Sequence, residues 1–134
     1  MNFKDSDIDN WPKTWAYSKD DIEYGKGIVK LFCPFINSLI ESNLSRKTIN
    51  SHIDNLWVLG GFLIKQINYY EEDKKKEPLL LIPIYINEFE GPFIFDLSEY
   101  EQESFDRTCR KYYSYLAKND LKELVESNFD FEKE

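Results

Sequence analysis

The stretch Ser45 to Tyr70, SRKTINSHIDNLWVLGGFLIKQINYY, decides the fold. Ser45 is a natural helix N-cap, because its hydroxyl can accept one of the backbone amides that the first helical turn leaves unpaired. Behind it Ile49, Ile53, Leu56, Leu63, Ile67 and Tyr70 recur every three to four residues, the spacing of one buried helical face. Gly60 fills the single gap in that seam and Gly61 follows it. A glycine inside a helix costs about 1 kcal/mol relative to alanine. The pair therefore predicts a second helix crossing closely at this point, or a bend.

Upstream, Ser18-x-x-Asp21 imitates a capping box. Ile28, Phe32, Phe35 and Leu39 then continue a helical stripe, with Val29, Ile36 and Ile40 beside it. Pro34 predicts a kink or a break with a fresh start, and Asn43 is suited to a left-handed helix end. Residues 1–18 hold Trp11, Pro12 and Trp15 without a helical stripe and read as an irregular arm. Its tryptophans are expected to pack on the core as a lid, with docking of a partner as the alternative.

Downstream, Glu71 to Glu77 reads as a solvated charged connector. The apolar run from Leu79 to Ile86 allows two structures. It can be a short buried helix opened by Pro78, which is favoured. It can also be a β-hairpin over 79–95, paired across Glu90-Gly91-Pro92 with Phe93-Ile94-Phe95. Ser98-x-x-Glu101 opens a further helix that buries Phe105, Cys109, Tyr112 and Leu116, with Arg107, Arg110 and Lys111 off the stripe. Acids at its start and bases towards its end complement the helix dipole. A short helix over Asp120 to Val125 and an acidic tail at 127–134 complete the chain. The expected class is all-α, a single domain over 1–134 built as a compact bundle of four to five helices, long enough to bury a core unaided.

Formal net charge is −8, and it is unevenly spread. From Gly25 to Tyr70, Lys26, Lys30, Arg46, Lys47 and Lys65 face only Glu41 and Asp54; from Pro78 to Asp106 there are seven carboxylates and no base. Overall acidity disfavours nucleic acid and favours basic partners. The N-terminus is acidic without an apolar run, and Leu79 to Ile86 is too short to span a bilayer. Cys33 and Cys109 match no metal or redox spacing. A cytoplasmic protein without membrane attachment is therefore expected.

Catalytic raw material is sparse. His52, the one histidine, sits at the edge of the apolar stripe, where a hydrogen-bonded boundary residue is the simplest reading. One histidine leaves no multi-histidine metal centre, and no helix carries a Glu-x-x-His pair. Glu99, Glu101, Glu103 and Asp106 crowd the first turns of one helix, as a solvated, dipole-matched terminus would. No catalytic, cofactor-binding or metal-binding residue is assigned.

The segment Leu44 to Leu56 resembles the recognition helix of LuxR-type helix-turn-helix regulators through Ser45, Thr48, Ile49, His52 and Asn55. That family has apolar scaffold residues where this chain has Ser38 and Ser42. Over a longer span, Phe35-Ile36, Leu39, Leu44-Ser45, Thr48-Ile49, His52, Leu56, Leu59 and Phe62-Leu63 resemble the first helix pair of the SAM-like core-binding domain of tyrosine recombinases. Phe105 to Leu116 is similar to that domain's closing helix. The recombinases' catalytic domain has no counterpart, so this resemblance implies a fold and at most a binding role. Asp54 to Trp57 together with Glu101 to Lys111 also resembles a family of small uncharacterised bacterial proteins, which implies no activity.

These features imply a non-enzymatic binding or regulatory protein that engages a protein partner through an acidic, aromatic surface. The candidate residues are Glu99, Glu101, Glu103, Trp11 and Trp15, with Tyr113 and Tyr115 as spare aromatics. A basic partner would be steered electrostatically, and a homodimer is open to it. One alternative is DNA binding through Arg46, Lys47, Asn50 and Ser51 at the start of the second helix. Another is a small-molecule or enzymatic cleft near Gly60, Gly61 and His52.

Overall fold

The computed structural model describes residues 5–119, which form seven helices and no strand. In chain order these are α1 (Asp5–Asp9), α2 (Trp11–Trp15), α3 (Lys19–Ile40), α4 (Arg46–Tyr69), α5 (Glu71–Lys74), α6 (Pro78–Tyr85) and α7 (Glu99–Lys118). The all-α class is therefore the observed one. The short helix expected at 120–125 and the tail at 127–134 lie outside the described residues.

Ser45 opens α4 as expected, its Oγ accepting the Thr48 amide at 3.1 Å. Ile49, Ile53, Leu56, Leu59, Leu63, Ile64 and Ile67 then bury against Ile28, Phe32, Phe35, Ile36 and Leu39 of α3 and Phe105, Cys109, Tyr112 and Leu116 of α7. Tyr112 joins the long helices, its ring 5.3 Å from Phe32 and 5.0 Å from Phe35. Leu81 and Ile82 of α6 bury into the same core.

Several expectations need correction. Pro34 does not break α3 or restart it, since α3 runs through from Lys19 to Ile40. Lys30, whose carbonyl loses its partner at Pro34, is exposed like Pro34 itself, so water can serve that carbonyl while buried residues on both sides keep the helix continuous. Asn43 is not left-handed, because no non-glycine residue has positive φ among the described residues. Instead Ser42 closes the end of α3, its Oγ donating to Leu39 O and accepting the Leu44 amide. Residues 79–95 form no hairpin; α6 takes Pro78–Tyr85, and an irregular loop follows.

The connector at 71–77 is not wholly solvated either. It contains α5, whose Asp73 is buried; Asp73 accepts the Tyr85 hydroxyl and pairs with Lys76 at 3.9 Å. Tyr24 reaches across from α3 and donates to Lys76 O at 2.7 Å.

In its described part, from residue 5, the amino-terminal arm is mostly helical rather than irregular. Asp21 fixes its junction with α3: the buried carboxylate accepts from the Tyr17 and Ser18 amides and from Asn68 on α4. Trp11 and Trp15 are buried, so the lid reading describes them. The Trp15 indole lies across Gly60, where a Cβ would come within 2.1 Å of Cζ2. Gly60 therefore makes room for a tryptophan side chain carried by α2.

Candidate functional site

The segment between α6 and α7 is rich in phenylalanine, and the structure turns much of it outward. Phe89 is 69% exposed, Phe93 74%, Phe95 86% and Tyr100 81%. Leaving a phenylalanine in water forgoes about 1.5–3 kcal/mol of burial, so three on one stretch make this segment the candidate surface.

The backbone of this loop is nonetheless tightly held. Asn87 Oδ1 accepts the amides of Phe89 and Glu90 at 2.8 and 2.9 Å, forming a local turn. Three side chains of α7 then clamp the loop. Gln102 accepts the Ile94 amide at 2.9 Å and donates to Pro92 O at 3.0 Å; Asp106 accepts the Gly91 amide; Arg110 donates to Phe89 O at 3.1 Å. Gly91 sits so close to α7 that a Cβ there would lie 2.4 Å from Cys109 Sγ. The rings are thus displayed from a fixed backbone, which lowers the ordering cost of docking them.

Carboxylates adjoin the rings along the chain. Glu88, Glu90, Asp96, Glu99 and Glu103 are exposed, and none is ion-paired among the described residues. Glu101 is engaged locally instead, its Oε1 accepting the Ser98 amide at 2.9 Å while Ser98 Oγ accepts the Glu101 amide. That capping box holds the Glu101 carboxyl below its ordinary range.

Of the candidate surface residues, Glu99 and Glu103 thus stand free beside the aromatic loop, and Glu101 is engaged in its own cap. Trp11 and Trp15 are removed from the surface by burial, and Tyr113 and Tyr115 are half-buried against the core. Sequence reasoning missed Phe89, Phe93 and Phe95 because apolar residues are taken for core by default. A signal was present in Glu88-Phe89-Glu90, where acids flank the ring, and in Phe95-Asp96, where one follows it; Phe93, between Pro92 and Ile94, carried none.

The DNA-binding alternative places Arg46, Lys47, Asn50 and Ser51 around one shallow depression at the start of α4, together with Asp54. Ser51 Oγ also lies 3.4 Å from Ser104 Oγ on α7. The cleft expected near Gly60, Gly61 and His52 does not form as one unit, because Trp15 covers both glycines. His52 belongs instead to a buried polar junction between α4 and α7. Its Nδ1 is 2.7 Å from Thr108 Oγ1, which also accepts from Asn55 Nδ2 at 2.8 Å. Burial, then Lys111 and Arg107, hold the imidazole below its ordinary pKa.

No protein-family model, curated protein or solved structure matches this chain. Among the described residues no group of His, Cys, Asp and Glu could hold a metal ion. No helix there is long and apolar enough to cross a membrane.

Proposed function

We propose that this chain is a non-enzymatic binding protein that engages a basic protein partner through the acidic, aromatic loop between α6 and α7. The observation that carries this reading is the exposure of Phe89, Phe93 and Phe95 on a backbone clamped to α7. Large aromatic anchors are the residues that concentrate binding energy in interfaces. The unpaired carboxylates around them would attract a basic surface and raise its association rate. A second copy of this chain is a poor occupant, since two such faces would oppose like charges.

The reading is tested by affinity capture from host lysate with the wild-type chain, the triple variant Phe89→Ala/Phe93→Ala/Phe95→Ala, and Glu88→Gln/Glu90→Gln/Glu99→Gln/Glu103→Gln. All seven side chains are exposed, so both variants should keep the wild-type fold by ellipticity. The reading requires a basic protein that the wild type retains, that both variants lose, and that elutes as salt rises. Equal capture by all three chains overturns it, as does an acidic captured partner. A concentration-dependent dimer abolished by the phenylalanine substitutions would reassign the surface to self-association.

A further inference from the structure

A cleft of about 650 Å³ opens where the end of α3, the start of α4 and the side of α7 meet. Arg107, Arg110, Lys111 and Lys118 line it from α7 together with His52 and Tyr115, and no carboxylate lines it. At offsets of three, four and eleven residues the four cations share one helical face. In a chain with 25 acidic residues none of these cations is ion-paired among the described residues.

The helix dipole explains only part of this arrangement. Its pull is confined to the last turn, which contains Lys118, whereas Arg107, Arg110 and Lys111 lie in the middle of α7. Clustered like charges repel one another, so a cation group that no carboxylate pairs with among the described residues has an electrostatic surplus that an anion would relieve.

We propose that this cleft binds a phosphorylated small molecule with a planar organic body, its phosphates held by Arg107 and Lys111. Arginine offers a planar fork of donors matched to phosphate oxygens, and lysine adds a point charge beside it. The hydroxyls of Thr48 and Ser114 line the same cleft and can donate to the remaining oxygens. Tyr115 and Leu44, both half-buried, supply the apolar wall for the organic body. Arg110 is shared with the clamp on the acidic loop, through Phe89 O, whereas Arg107 and Lys111 are not, so the proposal does not depend on that loop's function.

The deciding experiment is calorimetric titration of the full chain at low ionic strength with inorganic pyrophosphate, ADP and adenosine. Saturable one-to-one binding of pyrophosphate and tighter binding of ADP are expected, with none for adenosine. Arg107→Ala and Lys111→Ala should each weaken ADP by about tenfold or more, the usual scale for a charge-assisted contact. Lys65→Ala, an exposed cation of α4 outside the cleft, should leave affinity unchanged. All three positions are exposed, so thermal midpoints should stay near wild type. No saturable binding of either phosphate probe overturns the proposal, as does binding indifferent to Arg107 and Lys111. Equal affinity for pyrophosphate and ADP overturns its organic half. Duplex DNA bound more tightly than ADP, and lost in Lys47→Ala, would replace it with a nucleic-acid surface.

Discussion

Gly60→Ala sets two effects of opposite sign against each other. In an exposed helix the change would stabilise by about 1 kcal/mol through helix propensity. Here the added Cβ would lie 2.1, 2.3 and 2.7 Å from three atoms of the Trp15 ring. An indole cannot yield by more than an ångström in place, so Trp15 must leave its site. Losing a buried tryptophan costs about 3–5 kcal/mol, and its Nε1 bond to Trp57 O is lost as well. The net expectation is a destabilisation of about 2–4 kcal/mol, lowering the melting midpoint by roughly 10 °C in a chain of this size. Urea denaturation measures it directly. Gly61→Ala is the control, since its Cβ would meet Trp15 Cδ1 at an ordinary 3.4 Å. In a Trp15→Ala background Gly60→Ala should change sign and stabilise. A neutral or stabilising Gly60→Ala in the wild type would refute the assigned role of Trp15.

Three further outcomes follow from buried or clamped groups. His52 is held below its ordinary pKa in the folded chain, so the unfolded chain binds more protons just below pH of about 6.5. Stability should therefore be complete above that pH and decline as pH falls towards the folded-state value. Lys111 and Arg107 face the ring from α7, whereas Phe35 and Ser38 of α3 bring no charge. The decline should shrink in His52→Asn between about pH 5.5 and 6.5, where ordinary carboxylates stay ionised, leaving only what Asp54, raised by burial, contributes; an undiminished decline there would contradict the assignment. Thr108→Val keeps the shape but strips the hydroxyl that bonds both His52 and Asn55, and should cost about 1–3 kcal/mol in denaturant. A change under about 0.5 kcal/mol, typical of a surface site, would mean that neither group needs that hydroxyl. Gly91→Ala should push the loop from Cys109 and speed amide exchange from Phe89 to Ile94, leaving α3 and α4 protected. Unchanged exchange would show that the close approach does not hold the loop.

The long helices α4 and α7 could be read from the sequence because cap and stripe agree there: Ser45 and Ser98 cap helices whose apolar positions then bury. Pro34 was misleading because local propensity was overruled by the buried residues on either side of it. Gly60 gave a true signal of close approach, yet the approaching group comes from 45 residues upstream, and periodicity carries no information about such a partner. Asp73 and Asp21 look like surface charges in sequence, and only the structure supplies the tyrosine and asparagine that bind them. The candidate surface was half legible. The acids of Glu99 and Glu103 stand where charge patterning put them, while the aromatic anchors lie in the loop and not in the arm. The cationic cleft was the least legible, since its lining residues come from three helices and only Arg107, Arg110, Lys111 and Lys118 are regularly spaced.

All three tryptophans of the chain meet at one corner. Trp11 and Trp15 lie with ring centres 5.8 Å apart and planes tilted by 46°, Trp15 donates to Trp57 O, and Trp57 donates to Thr14 Oγ1. The intrinsic indole emission of the protein is therefore a local optical gauge of whether α2 is seated on α4. Ellipticity instead averages over the long helices. If the arm unseats before the bundle melts, the two signals will separate along a denaturation curve, and their spacing will measure how cooperatively this corner folds with the rest.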